Sequence, residues 1–278
     1  MKTNLLICAA LALANFAVAA PLTESMFTEI IRDVNTLNAA GSPAAAKVND
    51  MLKAPDRVRT GSESRAELTA ADNTITRVGA NTVFSFSDSG RTLNLEQGSL
   101  LFHSPKGRGG GTIKSGGAAA AVLGTTLIVS ATKDGGFKVI LLEGNGKVTL
   151  ANGKSATLKA GQIVFVAPNG NELSQVLTIN LGKLVAGSNL VNGFSHPLPS
   201  IALIDAAVND QATLLASGSV MDTGRFTPDG LNSVDHAGYQ TAARPPITLS
   251  EYKSLNNIAV RIQGGLGGRN LTTLTFIP

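Results

Sequence analysis

The sequence predicts a mainly β protein of stacked hairpins, followed by a short helical segment toward its C-terminal end. Three observations predict it. From Arg57 to Val166, short β-branched and aromatic runs alternate with Gly-, Asn- and Asp-bearing turns, spaced roughly eight to twelve residues apart as in all-β domains. A hydrophobic phrase occurs twice: VGANTVFSF from Val78 with LNLEQGSLLF from Leu93, then VLGTTLIVSA from Val122 with VILLEGNGKVTL from Val139. Composition agrees. The chain has 30 Gly among 278 residues, no Trp, 4% aromatic and 15% charged residues. That suits many small β-elements joined by glycine turns, and it is far from the profile of a charged, disordered chain.

The elements follow in order. Lys2 supplies a positive n-region, LLICAALALA from Leu5 an apolar h-region, and AVA at 17–19 small residues before a cleavage point. Residues 1–20 are therefore expected to be a signal peptide, cut after Ala19 or Ala20. The apolar run is shorter than the ~20 residues that span a bilayer. Cys8 is the one cysteine and falls inside this segment, so the mature chain is expected to be periplasmic or secreted, without disulfides.

Residues 21–170 form the expected all-β domain. FTEIIRDVNTL fits either a helical or a strand period, and its density of β-branched residues favours strand. KVNDMLKAPDRVRTG reads as extended pieces interrupted by Pro55 and Gly61. RAEL and TITRV flank AADN, VFSF and TLNL flank SDSGR, FKVILL follows KDGG, and KVTL and SATL flank ANGK. Asn152-Gly153 is a strong short hairpin signal. Leu95-Glu96 corresponds to Leu142-Glu143 in the duplication, so each copy reads as a strand, a turn and a returning strand. One hairpin is marginal in water; stacked hairpins bury a common face. The glycine-rich stretch at 107–117 reads as a crossover loop. It is not a phosphate loop, because Ile113 stands before Lys114-Ser115 where that motif requires glycine.

Residues 171–218 are the expected helical segment. Leu173, Val176, Leu177 and Leu181 share a helical face over Asn171–Val185, and a second helix runs from a Ser200 cap to Gly218. Residues 219–278, rich in Gly, Asn and Thr, are expected to be an irregular tail with an extended piece at NLTTLTFIP.

Little in this pattern carries chemistry. His103, His196 and His236 are far apart, and no thiol or metal-ligand spacing accompanies them, so no metal, cofactor or catalytic residues are assigned. Glu96 and Glu143 read as hairpin-closing residues; acid–base work would need them to converge in one cleft. The net charge is +4 without a basic run, so no nucleic-acid partner is expected. The scarcity of rings weakens a sugar-platform reading.

DRVRTGSESRAELTAADNTITRVGANTVFSF, RTLNLEQGSLLFHSPKG, AAAAVLGTTLIVS, KVILLEGNGKVTL and LKAGQIVFV, in this order, resemble the FecR domain family over roughly Pro55 to Pro168. The resemblance implies a twisted, solenoid-like β domain. In its best-known members that domain is periplasmic and relays transporter occupancy to a cytoplasmic sigma factor, through an anti-sigma segment and a transmembrane helix ahead of it. Here a signal-like segment stands in that place. The expected role is an exported, non-catalytic binding or scaffold module whose partner is another envelope protein. The alternatives are an accessory of nutrient- or iron-responsive surface signalling, and an enzyme of unrecognised type, which would require a cleft with perturbed carboxylates or histidines.

Overall fold

A computed structural model describes residues 20–168 and 170–223. Residues 1–19 of the expected signal peptide, His236 and the NLTTLTFIP segment lie outside the described residues. In chain order the strands are β1 (Glu24–Ile31), β2 (Val34–Leu37), β3 (Pro43–Ala45), β4 (Met51–Lys53), β5 (Arg57–Thr60), β6 (Arg65–Thr69), β7 (Ile75–Val78), β8 (Val83–Phe86), β9 (Thr92–His103), β10 (Gly111–Ser115), β11 (Ala118–Val122), β12 (Thr126–Ala131), β13 (Phe137–Glu143), β14 (Asn145–Leu150), β15 (Ser155–Lys159), β16 (Gln162–Val166) and β17 (Leu177–Thr178). Helices α1 (Leu181–Gly187), α2 (Asn189–Asn192) and α3 (Ile201–Ala216) follow.

All seventeen strands join one sheet, and β9 folds it into two halves. Half A runs β4-β1-β6-β7-β9-β12-β13-β16-β17, and half B runs β3-β2-β5-β8-β9-β10-β11-β14-β15. β9 serves both because it turns at Gly98: Thr92–Gln97 pair within half B, and Gly98–His103 within half A. In each half, strands from before β9 lie on one side of it and strands from after it on the other. From β10 onward, successive hairpins are laid alternately on the two halves, which is the stacking expected of them.

Side-chain alternation explains the layers. Phe27, Leu68, Phe102, Val129, Phe137 and Val139 from half A meet Val58, Phe84, Phe86, Leu93, Ile113 and Val148 from half B in one core. Of the aromatics among the described residues, Phe27, Phe84, Phe86, Phe102 and Phe137 lie here, with Phe84 and Phe86 meeting edge to face at 5.6 Å. The opposite face of half A is covered as well. Leu101, Ile128, Ile140 and Ile163 pack against Leu181, Leu184, Leu190 and Ile204 of the helical layer. β12 and β13 are therefore buried along their whole length and read as continuous apolar runs, as strands covered on both faces do. Half B has an open outer face, so GTIKS and VFSF alternate.

Three sequence expectations change. The stretch at 107–117 is not all loop: β10 runs through it, pairing parallel with β9 and antiparallel with β11. Ile113 supplies its buried anchor, and Gly111 leaves room for the Phe102 ring. The segment 171–180 is extended rather than helical. Leu177 and Ile179 alternate into the second core, β17 closes the edge of half A, and the helix begins only after Asn180, whose Oδ1 accepts from Lys183 N–H at 2.9 Å. Finally, both copies of the repeated phrase are hairpins, but β8–β9 lies in half B and β12–β13 in half A. The second helix stands where expected, as α3.

Candidate functional site

Two regions of the fold bear on function: the polar seam beneath the helical layer, and the free edge of half B. The seam starts from the AADN turn. That turn pairs Glu67 with Arg77 across β6 and β7, both on the helix-facing side of half A. The Arg77 side chain is fully buried, and a buried guanidinium must find acceptors for its donors. Its Nε donates to Glu67 Oε2 at 2.8 Å, Nη1 to the Val191 carbonyl at 2.8 Å, and Nη2 to the His196 carbonyl at 2.5 Å. The ring of Phe194 lies 4.4 Å from the guanidinium carbon. Around it, Thr28 Oγ1 donates to Glu67 Oε1 (2.8 Å), Ser195 N–H and Oγ donate to Glu29 Oε2 (3.0 and 2.7 Å), and Arg65 Nε donates to the Gly193 carbonyl (3.3 Å). One end of the sheet thus grips residues 190–196 by polar contacts.

A second buried cluster lies on the same face, where β12 carries Thr126 between His103 on β9 and Glu143 on β13. Thr126 Oγ1 is 2.8 Å from Glu143 Oε1, 2.8 Å from Ser200 Oγ and 2.9 Å from His103 Nδ1. One hydroxyl has one proton. With the carboxylate ionised, Thr126 donates to Glu143 and accepts from Ser200 and from an Nδ1–H tautomer of His103, which satisfies the group. Burial lowers the His103 pKa below its ordinary value. Burial also raises that of Glu143, opposed by the Thr126 hydrogen bond and the charge of Lys106. All four side chains are buried, and the His103 nitrogen faces Thr126 rather than the Ser200 hydroxyl. This arrangement holds the start of α3 on the sheet and leaves no hydroxyl open to attack a substrate. It also explains why Ser200, at the N-cap position, makes no side-chain cap bond.

The free edge is β15. It pairs with β14 on one side and with no strand on the other among the described residues. The turn bond from Leu150 N–H to the Lys154 carbonyl, 2.8 Å, sets the phase of the ladder. It makes Val148/Ala156 and Gly146/Leu158 the hydrogen-bonded pairs and turns the backbone groups of Ser155 and Thr157 outward. The Lys159 N–H, also outward, is met by Gln162 Oε1 at 2.8 Å. The other edges are β3, β4 and β17, each three residues or fewer, the short form in which sheets normally blunt their edges.

Residues 56–147, from just before β5 into β14, match the family model described as FecR protein. This stretch is similar to the FecR family. Two crystal structures of candidate anti-sigma factors from Parabacteroides distasonis are similar to the chain. The first is 18% identical with a TM-score of 0.41, over 47% of this chain and 63% of that one. The second is 15% identical with a TM-score of 0.38, over 58% of this chain and 91% of that one. No curated protein matches.

Within this FecR-similar stretch the duplicated glutamates part company. Glu96 is exposed on half B, where its Oε1 accepts from Arg57 Nη1 at 3.4 Å. Glu143 is buried beside His103. The two do not converge; His103 and Glu143 do, through Thr126. His196 is exposed and contributes its carbonyl to Arg77, and Lys114-Ser115 sits in β10. Among the described residues, no three His, Cys, Asp or Glu side chains group as a metal site, and no helix is long and apolar enough to cross a membrane. Sequence reasoning passed over Arg77, Glu67 and Thr126. Arg77 and Glu67 were accessible, because they stand at equal distances on either side of Asp72, about which the β6–β7 register is symmetric.

The His103 cluster predicts a pH response with opposed parts. His103, with its folded pKa depressed from 6.5, contributes stability that is complete above the unfolded value and is lost as pH falls through the folded one. Glu143, raised from 4.5, contributes stability that is complete below its unfolded value and is lost as pH rises through the folded one. His103→Gln is therefore expected to shrink the loss of stability between about pH 7.5 and about pH 5.5, measured by urea unfolding at both. An unchanged loss would show that another group titrates.

Proposed function

We propose that the protein is an exported, non-catalytic binding or scaffold module of the bacterial envelope that works by contact with another envelope protein. The observation that carries this reading is β15. It is the longest edge strand of the described fold, with outward backbone donors and acceptors at Ser155 and Thr157, and an extended segment of a partner can add to it as a further strand. The signal-like features of residues 1–20 support export, and the inward, satisfied hydrogen bonding of His103, Thr126, Glu143 and Ser200 supports a role without catalysis.

Thr157→Pro tests the reading. Its N–H points away from β14, so proline removes no ladder bond and is tolerated on an edge strand. The expected outcome is stability within about 1 kcal/mol of wild type, together with loss of the discrete adduct that a photocrosslinker at Ser155 forms in the intact envelope. An adduct that survives Thr157→Pro, or that forms equally from a crosslinker at Ala45 on β3, would rule out β15 as the contact edge.

The FecR-like match favours a second reading, in which the module is an accessory of surface signalling alongside a separate membrane protein. Deleting the gene is then expected to change transporter expression under nutrient or iron limitation. An unchanged transcriptional response would exclude it.

A further inference from the structure

The outer face of half B has a chemical character of its own. Register aligns Arg57, Ser85, Asn94, Lys114, Ala119 and Thr149 in one cross-strand row through β5, β8, β9, β10, β11 and β14. At roughly 4.8 Å between strands, this row is about 24 Å long. Lys147 on β14, Lys159 on β15 and Arg59 on β5 are exposed on the same face. Arg59, Lys114, Lys147 and Lys159 have no ion-pair partner among the described residues, and the one acidic side chain at the outward strand positions, Glu96, is paired with Arg57. The opposite side of the molecule has the reverse sign on its longest helix: the charged residues of α3 are Asp205 and Asp210. Four cations without an ion-pair partner among the described residues thus share one hydroxyl- and amide-bearing β-face.

We infer that this face binds a linear acidic polysaccharide, a polyuronate in chemical class, laid across the strands. The cations would pair with carboxylates while Ser, Thr and Asn side chains exchange hydrogen bonds with sugar hydroxyls. The repeat of linked hexuronates is close to the spacing between strands, so successive sugars meet successive strands. Other occupants fit less well. Phe84 and Phe86, the aromatic residues of β8, point into the core, so among the described residues the strands of this face offer no ring on which to stack a neutral sugar or a nucleobase. None of the exposed large hydrophobic residues Met26, Val48, Met51, Leu123, Leu203 and Leu214 is at a strand position of half B, and Leu37 and Val83 on the face are only half-exposed, so its strands present no apolar wedge to enter a lipid surface.

The test uses the full chain and immobilised alginate, with dextran as the neutral control. Wild type is expected to bind alginate and not dextran, and to weaken as salt rises. Replacing Lys114, Lys147 and Lys159 together by Gln is expected to reduce affinity roughly tenfold or more, as loss of three polyanion contacts should. Lys53→Gln, Lys133→Gln and Lys183→Gln together remove the same charge elsewhere and are expected to leave binding unchanged. The inference is overturned if wild type does not bind alginate, or if the two triple variants weaken equally, which would reduce the effect to net charge. It is also overturned if phosphatidylglycerol vesicles or oligothymidylate bind more tightly than alginate; the face would then serve a membrane or a nucleic acid.

Discussion

Arg77→Met is expected to lower the unfolding free energy by about 3–5 kcal/mol, the usual cost of removing one partner from a buried ion pair. The substitution strands the Glu67 carboxylate under the helical layer and leaves the Val191 and His196 carbonyls without their donor. Methionine fills most of the volume, so the effect reports lost charge and hydrogen bonds rather than a cavity. Adding Glu67→Gln should restore part of the loss, because the stranded charge is then gone while Thr28 keeps an acceptor. Urea unfolding of both variants measures this. A single-variant loss below about 1 kcal/mol, the range of an exposed pair, would mean that water reaches the site and that Arg77 does not clamp residues 190–196. The exposed pair Lys53–Glu24, at 3.2 Å, is expected to matter little by the same reasoning.

The second large effect belongs to Gly98. Its φ of 91° lies in the left-handed region, and it marks the point where β9 passes from one half of the sheet to the other. A Cβ there would press on Thr82, against its Cα as well as its hydroxyl; backbone cannot swing aside as a side-chain tip can. Thr82 Oγ1 also accepts from the Ser99 N–H at 2.9 Å, so displacement would break a buried bond. Gly98→Ala is expected to cost about 3 kcal/mol or more, combining backbone strain with overpacking. Gly153→Ala is the matched control. It has a similar φ of 85° but open space around it, so it should cost only the strain. Equal thermal shifts in the two variants would show that the Thr82 contact contributes nothing.

Much of half B could be read from the sequence because one of its faces is wet. Val83–Phe86 and Gly111–Ser115 alternate, and turns such as ANGK delimit them. Half A gave a different signal. TLIVSA and FKVILLE are continuous apolar runs because the helices cover what the other half does not, and such runs announce two-sided burial without saying what provides it. Segment 171–180 misled for a related reason: Leu173, Leu177 and Leu181 fit a helical period, while Leu177 and Ile179 fit a strand, and the unfilled edge beside β16 decided between them. The polar seam was legible only where it is local. Glu67 and Arg77 face each other across one turn, whereas His103 and Glu143 meet through Thr126, and that adjacency depends on strand order. The duplicated glutamates show the converse hazard, since equal positions in a repeated phrase came to lie on opposite halves.

The arrangement of strands around β9 also governs how the protein comes apart. Eight strands precede it and eight follow, and its twelve residues supply the ladder between the two sets in both halves of the sheet. Neither set can melt without exposing one side of that ribbon, so heat should produce a single transition. The amides of Leu100 to Phe102, paired on both sides, should exchange with solvent only when the whole molecule opens.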